Sequence, residues 1–166
     1  MHRRLLVVVV LAVAGCATPQ EHKTRLITPF NYAEHDRYLS PTNATLRGQA
    51  MLRPDGSGAA TCAGSQVLAV PATTFFREMM EVVKRGQQPQ VANEIDPIYR
   101  SVIKVGTCDT QGRFVITNMA PGTWIVTTEV TWSTAGSRQG GTLMREVIVA
   151  AGDNTQVLLT DTDRIP

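Results

Sequence analysis

Apolar and polar residues alternate through much of the chain, and a period of two marks strands with one buried face. The clearest run lies within 106–132. Phe114, Ile116 and Asn118 point one way, with Val115 and Thr117 opposite. Further on, Trp124, Val126, Thr128, Val130 and Trp132 share one face, against Ile125, Thr127, Glu129 and Thr131. β-Branched and aromatic residues dominate both runs, as pleated and half-buried backbone favours. The charge of Glu129 marks the outer face, which predicts that the tryptophan face is the core face. Turn chemistry frames these strands. Asp109 can accept hydrogen bonds from backbone two residues on, and Gly112 tolerates positive φ. Pro121 and Gly122 supply the next reversal.

The same alternation predicts strands over 45–52, 60–70, 99–105, 142–150 and 155–160. Asp55 and Gly56 sit in a turn after the first, and Gly64 with Ser65 interrupts the second before Pro71 ends it. The period changes at 73–85, where Phe76, Met79, Met80 and Val83 recur at helical spacing. Thr73 or Thr74 is a candidate N-cap, and Gly86 a C-terminal stop. That stripe either docks on the core or offers a soft surface to a partner. Residues 87–97 read as a loop, and 133–141 as a Gly/Ser-rich loop without apolar residues. Seven short strands and one short helical insertion predict an all-β, Ig-like sandwich.

Periodicity fails at the N-terminus. Arg3 and Arg4 precede an apolar run from Leu5 to Ala14 that is too short for a permanent span and suits a secretory signal. Val13, Ala14, Gly15 and Cys16 resemble the lipobox of bacterial lipoproteins. The resemblance implies cleavage after a signal peptide over 1–15 and acylation of Cys16. Ala at position 17, where Asp would hold a Gram-negative lipoprotein back, implies sorting to the periplasmic face of the outer membrane. Several acyl chains make a stable anchor where one is marginal. Residues 16–43, with Pro19, Pro29 and Pro41 and no sustained period, read as a lipidated, flexible tether on which Phe30, Tyr32 and Tyr38 could still dock. The sandwich is then 44–161 and the tail 162–166. The formal charge of +2 comes from 16 basic and 14 acidic residues, and two of the basic ones are Arg3 and Arg4. A neutral mature chain carries no electrostatic footprint for nucleic acid.

With Cys16 acylated, Cys62 and Cys108 remain. In an oxidising compartment an even pair points to one disulfide; two buried thiols are the alternative. Chemistry beyond that is sparse. His22 and His35 both lie in the tether segment, no cysteine-rich cluster exists, and carboxylates at calcium-ligand spacing around Asp109 are missing, so no metal is expected. A Ser/His/Asp arrangement would need a histidine in the sandwich. Glu129 and Glu146 are more simply solvated than paired for glycoside cleavage. Lys104, Asn118 and Glu129 supply the residue types of the isopeptide bond that locks some pilin sandwiches. No cofactor is indicated.

The segment that begins Thr107, Cys108, Asp109 and continues through Gly112, Phe114, Ile116, Met119, Pro121, Gly122 and Trp124 resembles the carboxypeptidase regulatory-like, or transthyretin-like, domain family. Residues 48–71 match its opening strands more loosely. The departures at Ile116, Met119 and Trp124 keep apolar bulk, and the helix at 73–85 is an insertion. The resemblance implies a seven-stranded sandwich and a non-catalytic accessory role. Members that hydrolyse 5-hydroxyisourate use histidines and a C-terminal motif absent here. The expectation is a non-enzymatic lipoprotein, held to the membrane by its lipid, that contacts an envelope protein through 133–141, 73–97 or exposed sheet edges. The rival is a carbohydrate- or peptidoglycan-binding module with Trp124 and Trp132 as an exposed stacking platform; the same two residues could instead fill the core.

Overall fold

The computed structural model describes residues 23–54, 58–92 and 96–166. Two sheets face each other. In the first, β2 (Ala44–Leu52) is central. It pairs in parallel with β10 (Asn154–Leu159) and antiparallel with β7 (Arg113–Met119), and its end pairs with the two-residue β3 (Ala60–Thr61). The second sheet runs β6 (Lys104–Thr107), β4 (Gln66–Pro71), β8 (Gly122–Thr134), β9 (Ser137–Val149), all antiparallel. The predicted all-β sandwich is what forms. The break expected at Gly64 and Ser65 separates β3 from β4, where Gly64 takes φ +78°.

The inward faces follow the alternation. Leu46, Ala50 and Leu52, Phe114 and Ile116, Val157 and Leu159 come from the first sheet. Val67 and Ala69, Trp124, Val126 and Val130, Leu143, Val147 and Val149 come from the second. Gly48 is required here: a Cβ at that position would lie 2.3 Å from the Phe114 ring. Asp109 makes the turn before β7 as its chemistry predicts, accepting from the amides of Gln111 and Arg113 at 2.9 and 2.8 Å.

The second sheet is buried on its other face too. Helix α2 (Thr74–Lys84) crosses it, which explains why Val70 and Ile125 are buried although they point away from Val126. Thr73 caps the helix through its hydroxyl to the Phe76 amide. The stripe of Phe76, Met79 and Met80 faces the core, joined by Phe75 and Val82. Arg77 pairs with Glu146 of β9 across the helix–sheet seam.

Three readings of local structure change. Residues 99–105 are divided between α3 (Asp96–Val102) and β6. Tyr99, Val102 and Ile103 satisfy a helical period as well as an extended one, and packing decides: Tyr99 stacks on Phe76 at 5.5 Å. Residues 133–141 are the tip of the β8–β9 hairpin, not a loop, because ladder hydrogen bonds need no apolar side chains. Ala135 and Gly136, at φ 48° and 82°, form the two-residue turn whose twist suits a hairpin. Within 87–97, β5 (Gln88–Gln90) forms a parallel ribbon with β1 (Lys23–Arg25).

The segment read as a free tether is folded from Lys23 onward. β1 leads to α1 (Tyr32–Asp36), capped by Asn31, and a 3-10 turn over Arg37–Leu39. Thr24, Leu26, Thr28 and Phe30 turn toward the body, while Lys23, Arg25, Ile27 and Pro29 face solvent. Glu78 of α2 fastens the segment by accepting from the amides of Ile27 and Thr28 at 2.7 and 2.6 Å. His35 and Tyr38 are fully buried. His35 lies flat on Phe30, with ring centroids 3.9 Å apart, between the Asn31 carbonyl and the Thr73 hydroxyl. Tyr38 meets Trp124 edge-on at 5.1 Å and donates to the Thr123 carbonyl. The buried rings of His35 and Tyr38, together with the Glu78 contacts, hold the segment down, which a stretch with nothing to bury could not manage.

Cys62 and Cys108 are bonded, with Cα atoms 5.7 Å apart, and tie the β3–β4 turn to the β6–β7 connection. They close a loop with a sequence separation of 46. Replacing both by serine is expected to lower the unfolding free energy by about 4 kcal/mol, read from denaturant unfolding with a steeper slope, since the unfolded chain without its crosslink exposes more surface. The Ile27 amide, then the hydroxyl and amide of Thr28, hold the Glu78 carboxyl below its usual range. This fastening is therefore complete above the ordinary carboxylate pKa and lost as pH falls through the lowered one. Glu78→Ala at neutral pH should remove hydrogen-exchange protection from Ile27 and Thr28 while leaving β2 protected; unchanged protection at 27 and 28 would refute the role.

Candidate functional site

The long β8–β9 hairpin extends past the end of the sandwich core. Val130, on its inner face, is buried, whereas Trp132, two residues on, is half-buried with part of its indole packed on the core edge. The C-terminal segment runs beside this hairpin. Arg164 bridges to Leu143, the Ile165 amide donates to the Thr142 carbonyl at 3.0 Å, and the Arg164 guanidinium donates to the Gly140 carbonyl at 2.6 Å. Gly141 permits that approach, since a Cβ there would lie 2.5 Å from Arg164 Nε. Asp161 accepts from the Arg53 amide at 3.2 Å and so joins the end of β2 to the C-terminal 3-10 turn.

These contacts enclose an open groove of about 630 Å³ lined by Leu52, Arg53, Trp132, Gln139, Asp161 and Arg164. Its lining brings the Trp132 indole together with guanidinium, amide and carboxylate groups. The Arg53 guanidinium pairs with no acid among the described residues. An indole edge beside planar hydrogen-bonding groups suits a ligand with one apolar face and several hydroxyls. Paired-carboxylate cleavage would need two acids across a bond, and Asp161 is the one carboxylate in this lining.

The residues singled out from sequence separate. Cys16 lies outside the described residues. Trp124 is fully buried and donates its indole N–H to the Ala120 carbonyl at 3.0 Å, so it cannot belong to an exposed platform. The shared strand face of Trp124 and Trp132 dives into the core at one end and leaves it at the other. Only Trp132 keeps surface. Glu129 faces Arg138 at 3.6 Å and Glu146 pairs with Arg77, so the two carboxylates are engaged separately. Asn118 and Glu129 are exposed and Lys104 half-buried, not gathered in the interior. Among the described residues no group of three or more His, Cys, Asp or Glu could hold a metal ion. Thr73 and His35 bring a hydroxyl to within 2.9 Å of an imidazole, but both are buried and that hydroxyl caps α2.

Sequence reasoning missed Arg53, Asp161 and Arg164, and reached Gln139 only as part of the 133–141 contact segment. They come from separate segments, and Arg164 lies in what reads as a polar tail.

No protein-family model and no curated protein sequence matches the chain. Among solved structures, the chain is similar to a Pseudomonas aeruginosa protein described as a candidate carbohydrate binding protein. Identity is 22% over 80% of this chain and 98% of that one, with a TM-score of 0.65. It also matches a minor pilin of Streptococcus agalactiae at 16% identity, covering 76% of this chain and 46% of that one, TM-score 0.38. The major pilin subunit of Bacillus cereus matches at 13% identity, covering 76% of this chain and 31% of that one, TM-score 0.42. At these identities the first match shows a common fold, and the chain is a two-sheet β-sandwich of the architecture that protein shares.

Proposed function

We propose that the chain is a non-catalytic binding module of the bacterial envelope, anchored through acylated Cys16 at the periplasmic face of the outer membrane, and that the Trp132 groove binds carbohydrate. The observation that carries the ligand class is the half-buried indole of Trp132 set among Arg53, Gln139, Asp161 and Arg164. An apolar sugar face can stack on the indole while hydroxyl pairs meet the planar polar groups. The fold shared with the Pseudomonas aeruginosa protein is in keeping with this reading, as is that protein's description. The anchor is supported by the lipobox-like residues ending at Cys16. Kinship with carboxypeptidase regulatory-like domains belongs to the same proposal. Its support is that Asp109 and Gly112 form the turn, while Phe114 and Trp124 fill the core.

A second reading, contact with an envelope protein, has its own observation. β6 and β7 run side by side at the edges of their sheets, and expose Val105 at 54% and Val115 at 44%. Such edges can accept a strand from a partner.

Retention of the purified protein on peptidoglycan sacculi separates the two. The glycan reading predicts retention that muramidase digestion abolishes. Trp132→Ala should weaken it by about tenfold, the equivalent of roughly 1.4 kcal/mol of lost stacking, without changing thermal stability by much. Retention unaffected by Trp132→Ala would refute the groove. Capture of one envelope protein that persists after muramidase would favour the strand-addition reading.

A further inference from the structure

The folded N-terminal segment changes how the domain must sit relative to its anchor. With 23–43 docked, the folded segment begins seven residues after Cys16, the position of the proposed anchor. Seven residue steps span at most about 25 Å even when fully extended. A domain on so short a leash stays beside the bilayer, and the surface around the leash's attachment point is the one nearest the lipid.

That surface has a composition suited to the position. Along the outward side of β1 and its continuation stand Lys23, Arg25 and Ile27, and Ile27 is 91% exposed, the most exposed of the large apolar residues among those described. Lys23 pairs in register with Gln88, and Arg25 with Gln90, so the neighbouring strand adds neutral polar groups to this face. Arg85 lies close by, its Nε 3.5 Å from Gln87. Glu81 pairs with Lys84 at 2.7 Å, and Glu78, which accepts from the Ile27 and Thr28 amides and keeps its charge, has Arg85 as its nearby counter-charge. Lys23 and Arg25 pair with no acid among the described residues. The result is an outward-facing strip of two unpaired cations ending in an aliphatic side chain in water.

We infer that this face, Lys23, Arg25 and Ile27 with Arg85 at its flank, rests on the anionic phospholipid headgroups of the membrane that holds Cys16. The inference rests on the proposed anchor and adds a defined orientation to it. The cations would meet headgroup phosphates, and Ile27 would enter the interfacial layer. Alternation puts the three residues on one face, and the parallel β1–β5 ribbon and the Glu78 fastening fix the backbone beneath them. The lipid therefore need not order a flexible arm. The residues of this face share none with the Trp132 groove, so docking leaves the groove's lining free.

The test uses the full lipidated protein carrying Ile27→Cys, labelled with an environment-sensitive fluorophore; Cys62 and Cys108 are bonded to each other and will not compete. It is reconstituted in vesicles of phosphatidylethanolamine with phosphatidylglycerol, and in vesicles of phosphatidylcholine alone. Docking predicts blue-shifted emission and loss of iodide quenching in the anionic vesicles only. Lys23→Glu with Arg25→Glu should return the probe to its aqueous spectrum while the protein still floats with the lipid. A protein that floats with anionic vesicles but keeps an aqueous probe overturns the inference and leaves the anchor standing. A protein that does not float, with no acyl mass on its first residue, overturns the anchor and the inference together. A probe equally shielded in neutral vesicles overturns the electrostatic part, because headgroup phosphates would then not be what holds the face.

Discussion

The burial of Trp124 is the contact on which the rest of this fold depends. Its indole is the largest fully buried side chain among the described residues, and its N–H must find an acceptor once water is excluded. The Ala120 carbonyl supplies it from within the same turn. Tyr38 closes over the ring edge-on and passes its own hydroxyl to the Thr123 carbonyl. Gly122 is held at φ +145° beneath that ring, where a Cβ would lie 2.9 Å from Tyr38. Strand β8, the preceding turn and the N-terminal segment are thereby fixed to one another by a single aromatic contact and two hydrogen bonds.

From that contact the N-terminal segment becomes part of the body. Once Tyr38 is seated, α1 places His35 between Phe30 and the cap of α2, and Glu78 takes up the backbone of Ile27 and Thr28. The helix insertion is therefore used twice. It covers the outer face of the second sheet at Val70 and Ile125, and it provides the surface on which the incoming chain folds. The proposed orientation on the membrane follows from this second use. A segment folded from Lys23 onward would transmit the position of the proposed anchor to the domain, which a flexible one would not do.

At the other end of β8 the same strand face runs out of core. Val130 still has partners from the opposing sheet, and Trp132 has them only on one side. The proposed carbohydrate groove exists because the hairpin outruns the sandwich and the C-terminal turn comes back beside it. Arg164 and Asp161 are brought there by backbone pairing and capping. The groove's geometry is thus a consequence of hairpin length and of the return of residues 161–165 beside it, features with no local signature.

The sequence alone determined what depends on local spacing. Strict alternation fixed the inner faces of β2, β8 and β9 and of β7 as far as Ile116, beyond which Asn118 at φ 56° turns out to solvent and Met119 goes in. The helical stripe fixed α2 but left its cap between Thr73 and Thr74, and the chemistry of Asp109 and Gly112 fixed the turn between Cys108 and Arg113. Tertiary structure decided wherever two periods fitted equally or no apolar residue reported the element. Tyr99 became helical because its ring stacks on Phe76, and 133–141 became a hairpin because backbone pairing suffices there. It also decided that Trp124 is interior while Trp132 is half-exposed, and that the segment from Lys23 is folded. The physical reason is common to these cases: burial depends on what lies opposite in space, and a residue's neighbours along the chain do not report that.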